Sequence, residues 1–256
     1  MKVDSVFITG ANRGIGLEFV RQFSLLKDAP RLIFATYRNP ETIQDLKAIQ
    51  DSSSKSRVIL IKMDVNEEED RDIAKQIVEE NVGDKGLTLL INNAGMAQLM
   101  AFPSLTAENL EVHFKTNAVA PILLLQTLFP LLETAASASN SSEMSASRAM
   151  VLNITSMAGS IERTGKELKM DLVVPGYKMS KAAFNMGMRV IAANVKDKGV
   201  LVVNMCPGWV KTDMGGHERA MLTVEESIST MLKTLGELND THHGTFMDRS
   251  ANLYPF

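Results

Sequence analysis

Tyr177 and Lys181 stand four positions apart in the run YKMSK, residues 177–181. On a helix that spacing puts both side chains on one face, a turn apart. A free phenol, with a pKa of about 10, is a poor acid or base at neutral pH. An ammonium beside it favours the phenolate and makes proton exchange with a substrate oxygen feasible. The pair alone is a common coincidence of surface residues, so its meaning depends on what else reaches the same place. Ser156 closes the apolar run RAMVLNITS, and so emerges at the carboxyl edge of a candidate strand, where open parallel sheets place their ligands.

Near the start of the chain, Thr9–Gly16 reads TGANRGIG, a glycine-rich turn directly after one apolar run and directly before a helical pattern. Gly10 permits the turn, Gly14 lets the backbone approach a pyrophosphate, and Gly16 permits close packing. The helix behind them offers unpaired N–H groups to an anion. The order strand, turn, helix carries more weight than the three glycines themselves.

Those residues need a scaffold that delivers them to one edge, and the hydropathy pattern supplies it. Apolar runs rich in β-branched residues recur as SVFIT ending at Thr9, RLIFAT at Thr36, RVILIK at Lys62, LTLLI at Ile91, RAMVLNIT at Thr155 and VLVVNM at Met205. Turn residues and then helical patterns follow them. Near-continuous apolar strands alternating with helices predict an α/β fold, a doubly wound parallel sheet with helices on both faces. GLEFVRQFSLL predicts a helix burying Leu17, Val20, Phe23 and Leu25, and EEEDRDIAKQIVEE opens with acids that suit a helix start rather than a metal site. Longer helices are expected at about 107–133 and 175–195, with a serine- and alanine-rich surface loop at 134–147. No repeat or linker interrupts the series, so one domain over 1–256 is expected.

Composition narrows the classes. The chain has 256 residues, 45% apolar and 22% charged, and a net charge of −3, which gives no field for nucleic acid or anionic lipid. The single cysteine, Cys206, excludes an internal disulfide and is read as a small buried apolar residue. The first strand begins too early to leave room for a signal peptide, and no later apolar run approaches the roughly 18 residues of a membrane span. A cytoplasmic protein is expected, with no membrane or nucleic-acid partner. His113, His217, His242 and His243 lack metal-ligand spacing, so no metal is expected.

The spacing G-x-x-x-G-x-G resembles that of the short-chain dehydrogenase/reductase superfamily. The resemblance extends through Asp64-Val65, NNAG (92–95), Asn117, Ser156, YKMSK and PGWVKT (207–212), in the family's order and over almost the whole chain. TGANRGIGLEFV, LINNAG and CPGWVKTDMGG look most like the carbonyl reductases related to sniffer and C-factor. The resemblance implies a single-domain Rossmann fold and NADP(H)-dependent reduction of an aldehyde or ketone. It assigns Ser156 to holding the carbonyl oxygen, Tyr177 to protonating it, Lys181 to the phenol and the nicotinamide ribose, and Asn117 to a water beside Lys181. For the cofactor it implies the glycine-rich turn with Gly10, Asn12, Arg13, Gly14, Ile15 and Gly16, its glycines at the pyrophosphate, and Asp64 and Val65 at the adenine. Asn92, Ala94 and Gly95 would line the ribose, and Pro207, Gly208, Val210 and Thr212 would meet the nicotinamide.

In NAD-dependent relatives an acid usually ends the second strand, whereas here the segment reads ATYRN (35–39). Without that acid, Arg38 and Arg13 are expected to flank a 2′-phosphate, which predicts NADPH over NADH. The resemblance also implies a homodimer through the helices carrying Asn117 and Tyr177. A substrate mouth is expected at 158–176 and after Thr212. Trp209 and Met214 are read as packing residues. C-factor resemblance leaves open a second class, an NADP(H)-binding signalling or scaffold protein with little turnover.

Overall fold

Residues 2–165 and 174–256 are described by the structure, a computed structural model. In chain order its elements are β1 (Ser5–Ile8), α1 (Gly14–Leu25), β2 (Leu32–Tyr37), α2 (Gln44–Ser52), β3 (Arg57–Lys62), α3 (Glu68–Val82), β4 (Leu89–Asn92), α4 (Ala107–Phe114), α5 (Ala120–Ala138), β5 (Met150–Ile154), α6 (Pro175–Asn194), β6 (Leu201–Cys206), α7 (Val224–Leu235) and β7 (Phe246–Asp248). The sheet runs β3-β2-β1-β4-β5-β6-β7, and every pairing is parallel. This is a single Rossmann-like domain, and the order reverses direction between β1 and β4, the switch point where such sheets bind ligands.

Side chains of successive strand residues point to opposite faces, so each apolar strand feeds two cores. Val6, Ile8, Ile33 and Leu152 join Phe19, Phe23, Leu46 and Ile228 on the side of α1, α2 and α7. Phe7, Phe34, Leu90 and Val151 join Val78, Leu124, Leu128 and Phe184 on the side of α3, α5 and α6. Burying a large side chain of this kind contributes about 1.5–3 kcal/mol, which is why short runs without strong alternation hold as strands.

Leu17, Val20 and Phe23 are buried on α1 as expected, but Leu25 is 71% exposed. Phe19 and the partly buried Leu26 take the core positions instead. The acidic run does start a helix: Glu68, Glu69 and Asp70 fill the first turn of α3, where carboxylates meet the positive end of the helix dipole. Between α4 and α5 the chain makes a π-helical turn over Lys115–Val119, so one continuous helix runs from Ala107 to Ala138. It includes 134–138, where the serine- and alanine-rich composition predicts a loop, because Ala135 and Ala136 pack into the core. By length and composition this helix could cross a membrane, against the expectation that no apolar run approaches a span. Leu124, Leu128 and Leu132 are fully buried, so its apolarity is that of a core helix.

Candidate active site

The glycine turn after β1 is built as its residues require. Gly10 and Gly14 adopt positive φ, +62° and +54°. A Cβ on Gly16 would lie 2.3 Å from the carbonyl oxygen of Gly10, so the first turn of α1 rests directly on the loop. Asn12 donates from Nδ2 to Thr42 Oγ1 (2.8 Å), fastening the turn to the loop after β2. Ile15 packs its side chain against the core and leaves its backbone to the turn. Arg13 precedes α1 and pairs with Asp213, far along the chain in the loop after β6.

Around β2 and β3 the expected adenosine residues separate into two groups. Arg38 is exposed and lies 3.8 Å from Asp64, whose Oδ1 accepts the Asn66 N–H (3.0 Å). Both expected phosphate cations, Arg13 and Arg38, are thus lightly held in exposed ion pairs, which contribute about 0–1 kcal/mol and exchange readily for an anion. Val65 turns its side chain into the core, while its carbonyl accepts from the buried Arg71 Nη1 (2.9 Å).

Asn92, expected at the ribose, instead buries its side chain and donates to Asn153 Oδ1 (2.9 Å). Asn153 donates in turn to Asn204 Oδ1 (3.0 Å), and Asn204 to the Asn185 carbonyl (3.3 Å). The three strand asparagines are in register across β4, β5 and β6. Apolar–apolar–asparagine recurs as LIN, VLN and VVN at 90–92, 151–153 and 202–204, a signal the sequence reading passed over. The neighbouring Asn93, also missed, donates to the carbonyls of Thr9 and Gly10 (2.7 and 3.1 Å), joining the loops on either side of the switch point. Ala94 donates its N–H to Thr9 Oγ1 (2.8 Å).

Three elements bring the four catalytic candidates together. Ser156 leaves β5 and begins a 3₁₀ turn, accepting the Ala158 N–H on its hydroxyl (3.1 Å). Tyr177 lies in the first turn of α6, close enough to Ser156 for that hydroxyl to favour its phenolate. Lys181, 5% exposed, donates to the Ile154 carbonyl (2.9 Å), with its Nζ 5.8 Å from the Tyr177 ring centre. Asn117 sits in the π-helical turn, a feature frequent at functional sites. Its Oδ1 accepts the Met96 N–H (2.8 Å), and its Nδ2 donates to the Met96 carbonyl and to Ser180 Oγ (both 2.9 Å). The side chain therefore clamps the loop after β4 onto α6.

Burial acts on the two titrating partners in opposite senses. It pushes the Tyr177 phenol up to about 12, with the nearby Ser156 hydroxyl working against it. It brings Lys181 down to about 8, with Cys206 opposing. Burial therefore dominates the phenol, which is raised rather than lowered as the expected pairing with Lys181 would have it.

After β6, Val210 bridges to Leu222, and the loop between folds back on itself. Thr212 accepts the Gly215 N–H (3.0 Å) and donates to the Val210 carbonyl (3.4 Å), while its methyl would lie 3.2 Å from a Cβ on Gly14. The carbonyl of buried Pro207 accepts from Ser227 Oγ (2.7 Å), and Gly208 turns with φ +85°. Trp209 and Met214 are 37% and 51% exposed, which corrects their reading as packing residues. Cys206 is buried as expected, yet its Sγ accepts the N–H of Met157 (3.2 Å), next to Ser156. Burial pushes that thiol up. Of the expected mouth, 166–173 lies outside the described residues.

A cofactor's fit is tested by the space the glycines leave. A Cβ on Gly95 would stand 3.2 Å from Asn117 Oδ1 and 3.7 Å from Lys181 Nζ, closing the ground in front of both. A Cβ on Gly14 would press on the Thr212 methyl at 3.2 Å, so at both positions glycine leaves the backbone clear, and the residues present fit a dinucleotide.

This sheet order, with a glycine turn at β1 and serine, tyrosine and lysine gathered at the carboxyl edge, marks a Rossmann-fold oxidoreductase. The chain belongs to the short-chain dehydrogenase family, whose profile matches residues 4–223. Among solved structures, the carbonyl reductase Sniffer of D. melanogaster is 30% identical, with a TM-score of 0.93 over 99% of this chain and 100% of that one. An NADPH-bound carbonyl reductase from chicken fatty liver is 35% identical, with a TM-score of 0.94 over 100% and 95%. The C-signal of Myxococcus xanthus is 31% identical over 177 residues, 69% of this chain and 96% of that protein.

Proposed function

We propose that the protein reduces aldehyde or ketone carbonyls to alcohols with NADPH, in the reducing cytoplasm, as a homodimer. The observation that carries this reading is the gathering of Ser156, Tyr177 and Lys181 at the end of β5, with Lys181 Nζ 5.8 Å from the Tyr177 ring centre and bonded to the Ile154 carbonyl. In this reading a carbonyl oxygen accepts from both hydroxyls, which stabilise the charge that develops there. NADPH, when bound, would supply the hydride for the carbonyl carbon. Tyr177 gives its proton to the oxygen, a step worth about 10²–10⁴ in rate. Lys181 binds the nicotinamide ribose and, while charged, eases the loss of that proton. Arg13 and Arg38 exchange their exposed carboxylate partners for a 2′-phosphate.

Similarity to the chicken carbonyl reductase, whose structure holds NADPH, supports this cofactor. Similarity to the C-signal of Myxococcus xanthus keeps a signalling role in view, but an intact Ser156, Tyr177 and Lys181 favour turnover. The test is a panel of aldehydes and ketones with NADPH and NADH, for wild type and Arg38→Asp. Carbonyl-dependent NADPH oxidation is expected in wild type, with the cofactor preference moving toward NADH in the variant. Binding of NADPH without reduction of any panel member, or a wild-type preference for NADH, overturns the reading.

A further inference from the structure

Ser160, four residues after Ser156, is a buried serine with a distant partner. It is 1% exposed, and its Oγ donates to the carbonyl of Pro255 (2.8 Å). The same oxygen accepts the Arg163 N–H (3.3 Å), and Thr164 Oγ1 donates to the Ser160 carbonyl (2.8 Å). One hydroxyl thus ties a local turn to a strand of chain 95 positions away. Two further contacts join the same pieces. Glu162 donates its N–H to the carbonyl of Phe256 (3.3 Å), and the Arg163 guanidinium stacks 4.4 Å over the Tyr254 ring.

Residues 254–256 are themselves anchored on rigid elements. Tyr254 donates its N–H to the Phe246 carbonyl on β7 (2.8 Å), and its ring meets Phe246 edge-on at 5.3 Å. The Phe256 ring lies 5.7 Å from Phe246 and 4.4 Å beneath Arg189 of α6. A cavity of about 510 Å³, lined in part by Arg189, Tyr254 and Phe256, lies against this stretch. None of the four catalytic candidates lines it. The segment at 160–164 is therefore held by the sheet's last strand and by α6 through these residues.

We propose that Tyr254–Phe256 act as a positioning brace that sets the segment following Ser156, and that this segment is one wall of the substrate site. The brace rests on the catalytic reading above for its effect on substrates, and on contacts alone for its existence. Its loss alters which carbonyl compounds fit and leaves the glycine turn and Lys181, on other elements, in place. A brace needs the Tyr254 ring and not its hydroxyl, because the side chain meets Arg163 with its ring face and Phe246 with its ring edge.

The experiment compares wild type, Tyr254→Ala and Tyr254→Phe. It measures KM and kcat for a small aldehyde and a bulky ketone, the Kd for NADPH, and amide hydrogen exchange at 160–164. For Tyr254→Ala we expect a rise of about 3- to 5-fold in KM for the bulky ketone, the size of one lost cation–π contact. The Kd for NADPH stays within about twofold, as the brace touches no cofactor residue. Exchange at the Glu162 amide quickens, and Tyr254→Phe matches wild type. Unchanged ketone KM and unchanged exchange in Tyr254→Ala overturn the brace, as does a Tyr254→Phe variant as impaired as Tyr254→Ala. If wild type reduces no carbonyl, the catalytic reading falls by itself. Faster exchange in Tyr254→Ala then still supports the brace, and unchanged exchange rejects it.

Discussion

Lys181 and Tyr177 are read most directly through pH. Lys181 is brought to about 8 by burial, so it carries its charge below that value and loses it above. A neutral amine is a weaker partner for ribose hydroxyls and for a phenol giving up its proton. We therefore expect kcat/KM for NADPH, which reports the enzyme before cofactor binds, to hold on the acid side and fall as pH rises through about 8. In Lys181→Ala that alkaline limb should be gone, with a lower plateau. A limb that persists unmoved would show that another group titrates. The spacing of Tyr177 and Lys181 was legible from sequence. The sense of the tyrosine's shift was not, because spacing reports a neighbouring charge and says nothing of how much water burial removes.

At the scale of elements, the glycine turn and the helix behind it are the most tightly specified feature. A Cβ on Gly16 would meet backbone at 2.3 Å, and the Gly10 carbonyl has no flexible side chain with which to yield. Gly16→Ala is expected to cost about 1–3 kcal/mol of stability, the range for overpacking, and to weaken NADPH binding. Denaturant unfolding and fluorescence titration check both, and a variant of wild-type stability would contradict the packing. Six of the seven strands were legible, since each is a continuous apolar run. The seventh, Phe246–Asp248, has three residues and pairs only at the sheet's edge with β6, too short for a pattern. Asn92 was misplaced for a related reason. Its partners Asn153 and Asn204 become neighbours only through register between strands, which one sequence does not display. Arg13 was found, but Asp213 beside it was not, because the two are 200 positions apart.

Across the whole molecule, α6 presents Met179, Met186 and Val190 outward, 46–60% exposed, and the π-helical turn adds Val119 at 48%. Such a patch on the helices that carry Tyr177 and Asn117 is a candidate contact between two copies. Light scattering across a concentration series should give a dimer mass, lowered toward monomer in Met186→Glu. A wild-type monomer at all concentrations would reject the dimer. The central claim joins every scale: the sheet gathers Ser156, Tyr177 and Lys181 so that one phenol proton reaches a carbonyl oxygen. The direct measurement is a single turnover of enzyme-bound NADPH with a reactive aldehyde, followed by the nicotinamide absorbance, in wild type and Tyr177→Phe. We predict rapid oxidation with equivalent alcohol in wild type, and a rate lower by about 10²–10⁴ in the variant despite NADPH bound with similar affinity. A variant that oxidises NADPH at the wild-type rate, or a wild type that binds NADPH and leaves it unoxidised, would contradict the account.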